Sequence, residues 1–205
     1  MTGLYALAAL MGYAFGCLNL AFFLSRVKGF DIRSHGSNNA GASNATITMG
    51  LKAGVAVGLH DIAKSCLAAL LAGLLFPSLP YAPAVAGVAA VLGHIFPFYL
   101  RFRGGKGFAS FLGLTLALDW RFFLGIILAI LLITLITDYI ALGTLTTIVS
   151  FPAYLFLRHT GLSLVAIVCV ASVVITYKHM ENIRRLMSGE EIGLRQAMSK
   201  KGRVG

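Results

Sequence analysis

Seven runs of apolar residues, separated by short polar connections, constrain this chain more than any other feature. They cover residues 3–24, 51–76, 81–100, 108–118, 122–137, 139–157 and 162–178. A helix of about 20 such residues crosses the roughly 30 Å hydrocarbon core of a bilayer. Inside that core only helices and closed barrels satisfy their own backbone polar groups. The pattern predicts an all-α polytopic membrane protein with about seven transmembrane helices. The fourth run is too short to cross unaided, so it is expected to tilt, to re-enter, or to be completed by its neighbours. Composition excludes the soluble alternative: 58% of residues are hydrophobic and 12% charged, about half the charge a soluble domain carries.

Charge then orients the bundle. Seven crossings put the N-terminus outside and the C-terminus in the cytoplasm. The connections assigned inside hold Arg26, Lys28, Arg33, Lys52, Arg101, Arg103, Lys106 and the tail from Lys178 onward; those outside hold only Arg121 and Arg158. That asymmetry follows the positive-inside rule. It would fail if the fourth run did not cross, because the basic tail would then lie outside. Residues 1–192 are expected to form a single membrane domain, and 193–205 a short basic cytoplasmic tail. Cys17, Cys66 and Cys169 fall within apolar runs without paired spacing and are read as small packing residues. The N-terminus lacks the charged region of a cleaved signal peptide, so the first run is expected to remain.

Four polar clusters interrupt the apolar background. Between Ser37 and Asn44 the chain is built only of Gly, Ser, Asn and Ala. Such residues expose backbone N–H groups and tolerate positive φ, so this stretch can wrap an anion closely; the plainer alternative is a flexible connection. Gly104-Gly105-Lys106-Gly107 repeats the idea, with an ammonium to neutralise a phosphate, although a structural turn bearing a juxtamembrane lysine is equally common. Asp61 and Lys64 are three residues apart on one helical face of an apolar run. Ionisable groups there face the bundle interior and pair, either as a structural ion pair or as supports behind the anion site. His179, Asn182 and Arg185 or Leu186 recur at helical spacing just past the last run, where His179 can exchange a proton and Asn182 can orient a substrate. His94 and His159 have no polar company nearby in sequence and read as structural.

Several chemistries are absent. No His is followed five positions later by Asp, there is no Gly-x-Ser-x-Gly elbow, and no Walker, Rossmann or His/Cys metal spacing occurs. Basic residues that follow membrane topology also argue against nucleic acid as a partner.

Three clusters in register resemble one family. Gly36-Ser37-x-Asn39-x-Gly41-Ala42-x-Asn44, then His94-Ile95-Phe96-Pro97 ahead of Gly104-Gly105-Lys106-Gly107, then His179-x-Glu181-Asn182-Ile183 are similar in order and spacing to bacterial PlsY. These are the acyl-phosphate-dependent glycerol-3-phosphate acyltransferases, and the likeness runs over roughly residues 1–192. It implies a seven-helix fold in the bacterial cytoplasmic membrane with a cytoplasm-facing site. It also implies acyl transfer from acyl phosphate to the 1-hydroxyl of glycerol 3-phosphate, giving lysophosphatidic acid without metal or cofactor. In such enzymes the substrate phosphate is proposed to assist deprotonation of its own hydroxyl.

Carried across by position, Ser37, Lys106, His179 and Asn182 would be the catalytic set. Asn39, Gly41, Ser43, Asn44, Gly104, Gly105, Gly107, Glu181 and Thr144 would bind substrate, with Asp61 and Lys64 in support. Departures stand at Asn38, Ser43, Ile47, Ser65, Ala141, Thr144 and Met180, where the family usually has Gly, Thr, Arg, Gly, Ser, Ser and Arg. Ile47 matters most, because an alkyl group replaces a bidentate phosphate donor. The alternatives are a relative acting on another phosphate-bearing acceptor and a non-catalytic lipid-handling protein.

Overall fold

A computed structural model describes residues 1–191, 193 and 195, and the described residues form ten α-helices and no strand. Helices α1 (Thr2–Cys17) and α2 (Leu20–Val27) make one apolar run broken at Leu18–Asn19. The short α3 (Ala42–Met49) precedes α4 (Leu51–Leu75), and α5 (Ala82–Ile95) is extended by a 3-10 turn at Phe98–Leu100. Then follow α6 (Phe108–Leu118), α7 (Trp120–Thr137), α8 (Ile140–Leu157), α9 (Leu162–Lys178) and α10 (Met180–Ser188).

All seven expected runs are helical. Five helices are long and apolar enough to cross a membrane; α9 qualifies together with α10, from which it is bent by 54°. The exception is α6, whose 11 residues reach only about 16 Å at 1.5 Å per residue. Of the expected tail, only Gly193 and Arg195 are described; the rest of 193–205 lies outside the described residues.

The broken first span has a local cause. Asn19, 1% exposed, caps α2 by accepting from the Phe22 N–H at 2.9 Å, while its amide donates to the Ala40 carbonyl at 3.1 Å. Capping side chains of this kind restart a helix at a defined angle. Leu18 closes α1, and Asn19 starts α2 and ties the following loop to the break.

Helix α5 runs through the centre. Gly12 and Gly16 of α1 face Ala86 and Ala90 of α5 so closely that a Cβ on either glycine would lie 2.1 Å from a backbone oxygen. Small residues four apart allow this approach, and van der Waals contact between backbones is what joins helices where lipid offers no hydrophobic drive. On its other side α5 packs against α6 and α9, and its Val88, Val91 and Ile95 join Phe111, Ile175 and, from α8, Phe151 in one core cluster.

This alternation gathers the connections at two ends. One end holds residues 28–50, 101–107, 138–139 and 178–191, cross-linked by Arg33 Nη1 to the Leu100 carbonyl (2.7 Å), Ala40 N to the Gly104 carbonyl (3.4 Å), and Arg195 N to Asp138 Oδ1 (3.0 Å). The opposite end is sparser. There Asp119 caps α7 and accepts from Tyr154 Oη at 2.6 Å, tying α7 to α8.

Candidate active site at the polar end

A groove of about 1130 Å³ opens at the polar end. One wall is the first loop (Arg33, Gly36, Ser37, Asn39), the second is the glycine turn (Arg103, Gly104, Lys106), and the third is the α9–α10 bend (Lys178, Glu181, Arg185). The three clusters that are far apart in sequence thus meet around one space.

The first loop is built around Asn44. That residue is fully buried; its amide donates to the carbonyls of Ile32, His35 and Asn39 at 2.8–2.9 Å, and its Oδ1 accepts from the Ser37 N–H at 2.8 Å. Both polar atoms of the Asn44 side chain are spent on the loop's own backbone. It shapes the wall that presents Ser37 and Asn39, and it does not line the groove. Asn38 adopts φ 53°, a left-handed conformation that explains the glycine usual there and that Asn tolerates better than most residues. Gly41 caps α3 without a side chain, and Ser43 lies on the exposed face of α3 with Ile47 one turn further on.

The glycine turn is pressed onto the end of α5. A Cβ at Gly105 would lie 1.9 Å from His94 Nε2, and Gly107 has φ 91°. The Gly104 and Gly105 N–H groups donate to the carbonyls of Ile95 and His94 at 3.0 and 3.1 Å. These glycines serve the close approach of turn to helix, and the result is that Lys106 projects from a rigid base. Lys106 Nζ donates to Asn182 Oδ1. Asn182 Nδ2 in turn donates to Glu191 Oε1 at 2.7 Å, which fixes the amide with its oxygen towards the ammonium. Arg185 holds the other Glu191 oxygen at 2.9 Å and Glu181 at 2.8 Å.

Electrostatics follow from this packing. Burial lowers the Lys106 ammonium below the ordinary lysine range, because desolvation disfavours the charged form. Burial likewise lowers His179, whose ring is 6% exposed. Its Nδ1 lies 2.8 Å from the Ile175 carbonyl and must donate, which leaves Nε2 as an acceptor. At the far wall, the hydrogen bonds from Arg33 hold the Asp31 carboxyl at about 2.

Besides Asn44, two further expectations need correction. Thr144 is buried at 2% exposure in α8 and bonds to its own helix at Ile140 O (3.4 Å), so it is not part of the groove lining. His94 is anything but isolated: its Nδ1 lies 2.9 Å from Lys64 Nζ and 3.3 Å from Asp61 Oδ1, with all three side chains buried. Asp61 and Lys64 do pair with each other, at 2.7 Å. Sequence reasoning also missed Glu191, Arg33 with Asp31, and Asn19. The Asp-x-Arg spacing at 31–33 was a readable sign of one of these; Asn19 and Glu191 are recruited by tertiary folding.

Comparison with known proteins bears on the same residues. The family model described as glycerol-3-phosphate acyltransferase matches residues 6–189. Glycerol-3-phosphate acyltransferase 1 of Oceanobacillus iheyensis is 38% identical, over 96% of this chain and 98% of its own. The glycerol-3-phosphate acyltransferase of Bacillus subtilis is 34% identical, over 92% and 96%. The crystal structure of PlsY, an integral membrane glycerol 3-phosphate acyltransferase, in its glycerol 3-phosphate form superposes with a TM-score of 0.86 at 33% identity, over 93% of this chain and 95% of that one. Its lysophosphatidic acid form gives 0.84 at 32% identity, over 95% of this chain and 98% of that one. Matched over nearly its whole length in sequence and in fold, this chain belongs to the glycerol-3-phosphate acyltransferase family of integral membrane proteins.

Proposed function

We propose that this chain transfers a fatty acyl group from acyl phosphate to the 1-hydroxyl of glycerol 3-phosphate, releasing lysophosphatidic acid and inorganic phosphate at the cytoplasmic face of a bacterial plasma membrane. One observation carries the reading: Lys106, held by Asn182, faces a groove whose lining also includes Arg26, Arg33, Arg101, Arg103, Lys178 and Arg185 against only Asp31 and Glu181. Such an excess of cations beside a loop of small residues suits two phosphate-bearing substrates. The groove lies where apolar helices end, so an acyl chain can stay in lipid while its phosphate enters.

The chemistry asks little of the protein beyond placement. The hydroxyl oxygen forms a bond to the acyl carbon, the bond from that carbon to the phosphate oxygen breaks, and the hydroxyl proton passes to a phosphate oxygen. Negative charge builds on the carbonyl oxygen and the departing phosphate. In this reading Lys106 stabilises the latter, and fixed donors act there without reorganising. On the same reading the Ser37 hydroxyl, on the groove wall, and His179, buried at the α9–α10 bend beside it, orient the glycerol hydroxyls and bring the reactants together.

The test is acyl transfer by purified protein in lipid, with palmitoyl phosphate and labelled glycerol 3-phosphate, palmitoyl-CoA in parallel, and Lys106→Ala as control. Lysophosphatidic acid from acyl phosphate alone, dependent on Lys106, is the expected result; its absence would refute the proposal. A second reading, transfer to another phosphorylated polyol, is favoured by Ile47, 57% exposed where the family pattern carries arginine. Competition by other polyol phosphates in the same assay separates the two.

A further inference from the structure

The most costly groups in this bundle lie outside the groove. Asp61, Lys64 and His94 are 1%, 3% and 2% exposed, in helices α4 and α5. Ionisable groups at membrane depth are expensive and mark function more often than stability. A well-packed apolar set would hold α4 to α5 at least as well.

Their contacts run in one direction. Lys64 Nζ donates to the Leu18 carbonyl at 2.8 Å, lies 2.9 Å from His94 Nδ1 and pairs ionically with Asp61 Oδ1 at 2.7 Å. With Lys64 as an ammonium, which only donates, His94 Nδ1 is the acceptor and the ring proton belongs on Nε2; Asp61 Oδ1 lies 3.3 Å from the same Nδ1. That Nε2 is the atom pressed against Gly105, where a Cβ would come within 1.9 Å. The backbone of His94 holds the same turn, accepting from the Gly105 N–H at 3.1 Å. On the other side, Leu18 precedes Asn19, whose amide grips the Ala40 carbonyl of the first loop. One buried ammonium therefore connects to both walls of the groove.

We propose that Asp61, Lys64 and His94 are positioning residues: the triad fixes the His94 ring as the seat of the Gly104–Gly107 turn and so sets where the Lys106 ammonium stands. This rests on the reading that Lys106 holds a substrate phosphate. Lys64 and Asp61 act through His94, His94 acts through Gly105, and none of the three touches substrate.

The experiment compares Lys64→Met, His94→Gln, Gly105→Ala and the double variant Gly105→Ala/His94→Ala, in lipid. Three quantities are read: KM and kcat for glycerol 3-phosphate, protection of Lys106 by inorganic phosphate against acylation (followed by mass spectrometry), and the melting midpoint. Lys64→Met and Gly105→Ala are expected to raise KM at least tenfold and to weaken phosphate protection of Lys106 by a similar factor, in protein that remains folded. His94→Gln, which keeps an acceptor, should lose less. The double variant should bind phosphate better than Gly105→Ala alone, because removing the ring makes room for the added methyl.

Unchanged KM and protection in folded Lys64→Met would overturn the proposal and leave the triad as a helix staple. So would a double variant no better than Gly105→Ala, a comparison that decides the matter even if Lys64→Met does not fold. Failure of the wild-type protein to make lysophosphatidic acid, with Lys106 protection responding as described, would refute the transfer reading and keep the positioning one.

Discussion

Helices α5 and α7 invert the rule that holds in water. The more hydrophobic of the two, α7, with a mean hydropathy of 2.3, has only 11% of its span buried, whereas the span containing α5, at 1.6, is 67% buried. Buried α5 is built mainly of Ala, Gly and Val with one histidine; exposed α7 is built mainly of Leu, Ile and Phe. Lipid is as apolar as leucine, so burying leucine gains little, and close backbone contact becomes the adhesive. The helix that packs most tightly is therefore the one that carries the buried base of the polar end: the glycine turn rests on the last residues of α5, whereas the end of α7 meets Arg195, exposed at the surface, through the Leu135 carbonyl and Asp138.

The largest break in that comparison comes where α5 hands over to the site. Lys106→Ala should lower transfer by about 100-fold or more, the usual scale for removing one fixed donor of transition-state charge, with little change in melting. The assay with palmitoyl phosphate measures it. Changes on α7 that face lipid, such as Leu128→Ala, should leave turnover unaltered, since Leu128 is 58% exposed.

A second effect concerns packing alone. A methyl at Gly12 would come within 2.1 Å of the Ala86 carbonyl oxygen and 2.7 Å of its Cα, which are backbone atoms that cannot rotate away. Gly12→Ala should therefore destabilise by about 1–3 kcal/mol, the range for overpacking, read as a lower melting midpoint in detergent. An unshifted midpoint would show that α1 and α5 can separate freely.

A third effect is a shift in pH dependence. Burial lowers the pKa of Lys106, and phosphate binding needs the ammonium. Binding should hold at neutral pH and fall as pH rises through that lowered value, below the ordinary lysine range of about 10.4. Lys106→Arg, which stays charged at any accessible pH, should move the alkaline limb of KM for glycerol 3-phosphate upward. A limb in the same place for both would assign it to another group.

These outcomes also show what the sequence could reveal. The apolar runs gave seven helical segments, and the three clusters that meet at the groove were visible because small residues and lone basic groups stand out against leucine. Two things were hidden. Asn44 looked like a ligand because an amide in a glycine-rich loop reads the same whether it faces solvent or its own backbone; only the three carbonyls converging on it decide. His94 looked isolated because its partners lie 30 and 33 residues away on α4, and helical periodicity reports which face a residue occupies without saying which face it meets.

The smallest effect returns to α7. Gly125 has no heavy atom within 4 Å of where a Cβ would sit, in contrast to Gly12. A glycine inside a helix is less favourable than alanine by about 1 kcal/mol through backbone entropy. Gly125→Ala should therefore raise the melting midpoint slightly and leave KM alone. The same chemical change is thus expected to have opposite signs in two helices of one bundle. If Gly125→Ala were instead destabilising, α7 would have to meet a partner on that face, and the contrast between a packed α5 and a lipid-facing α7 would be a property of the single chain only.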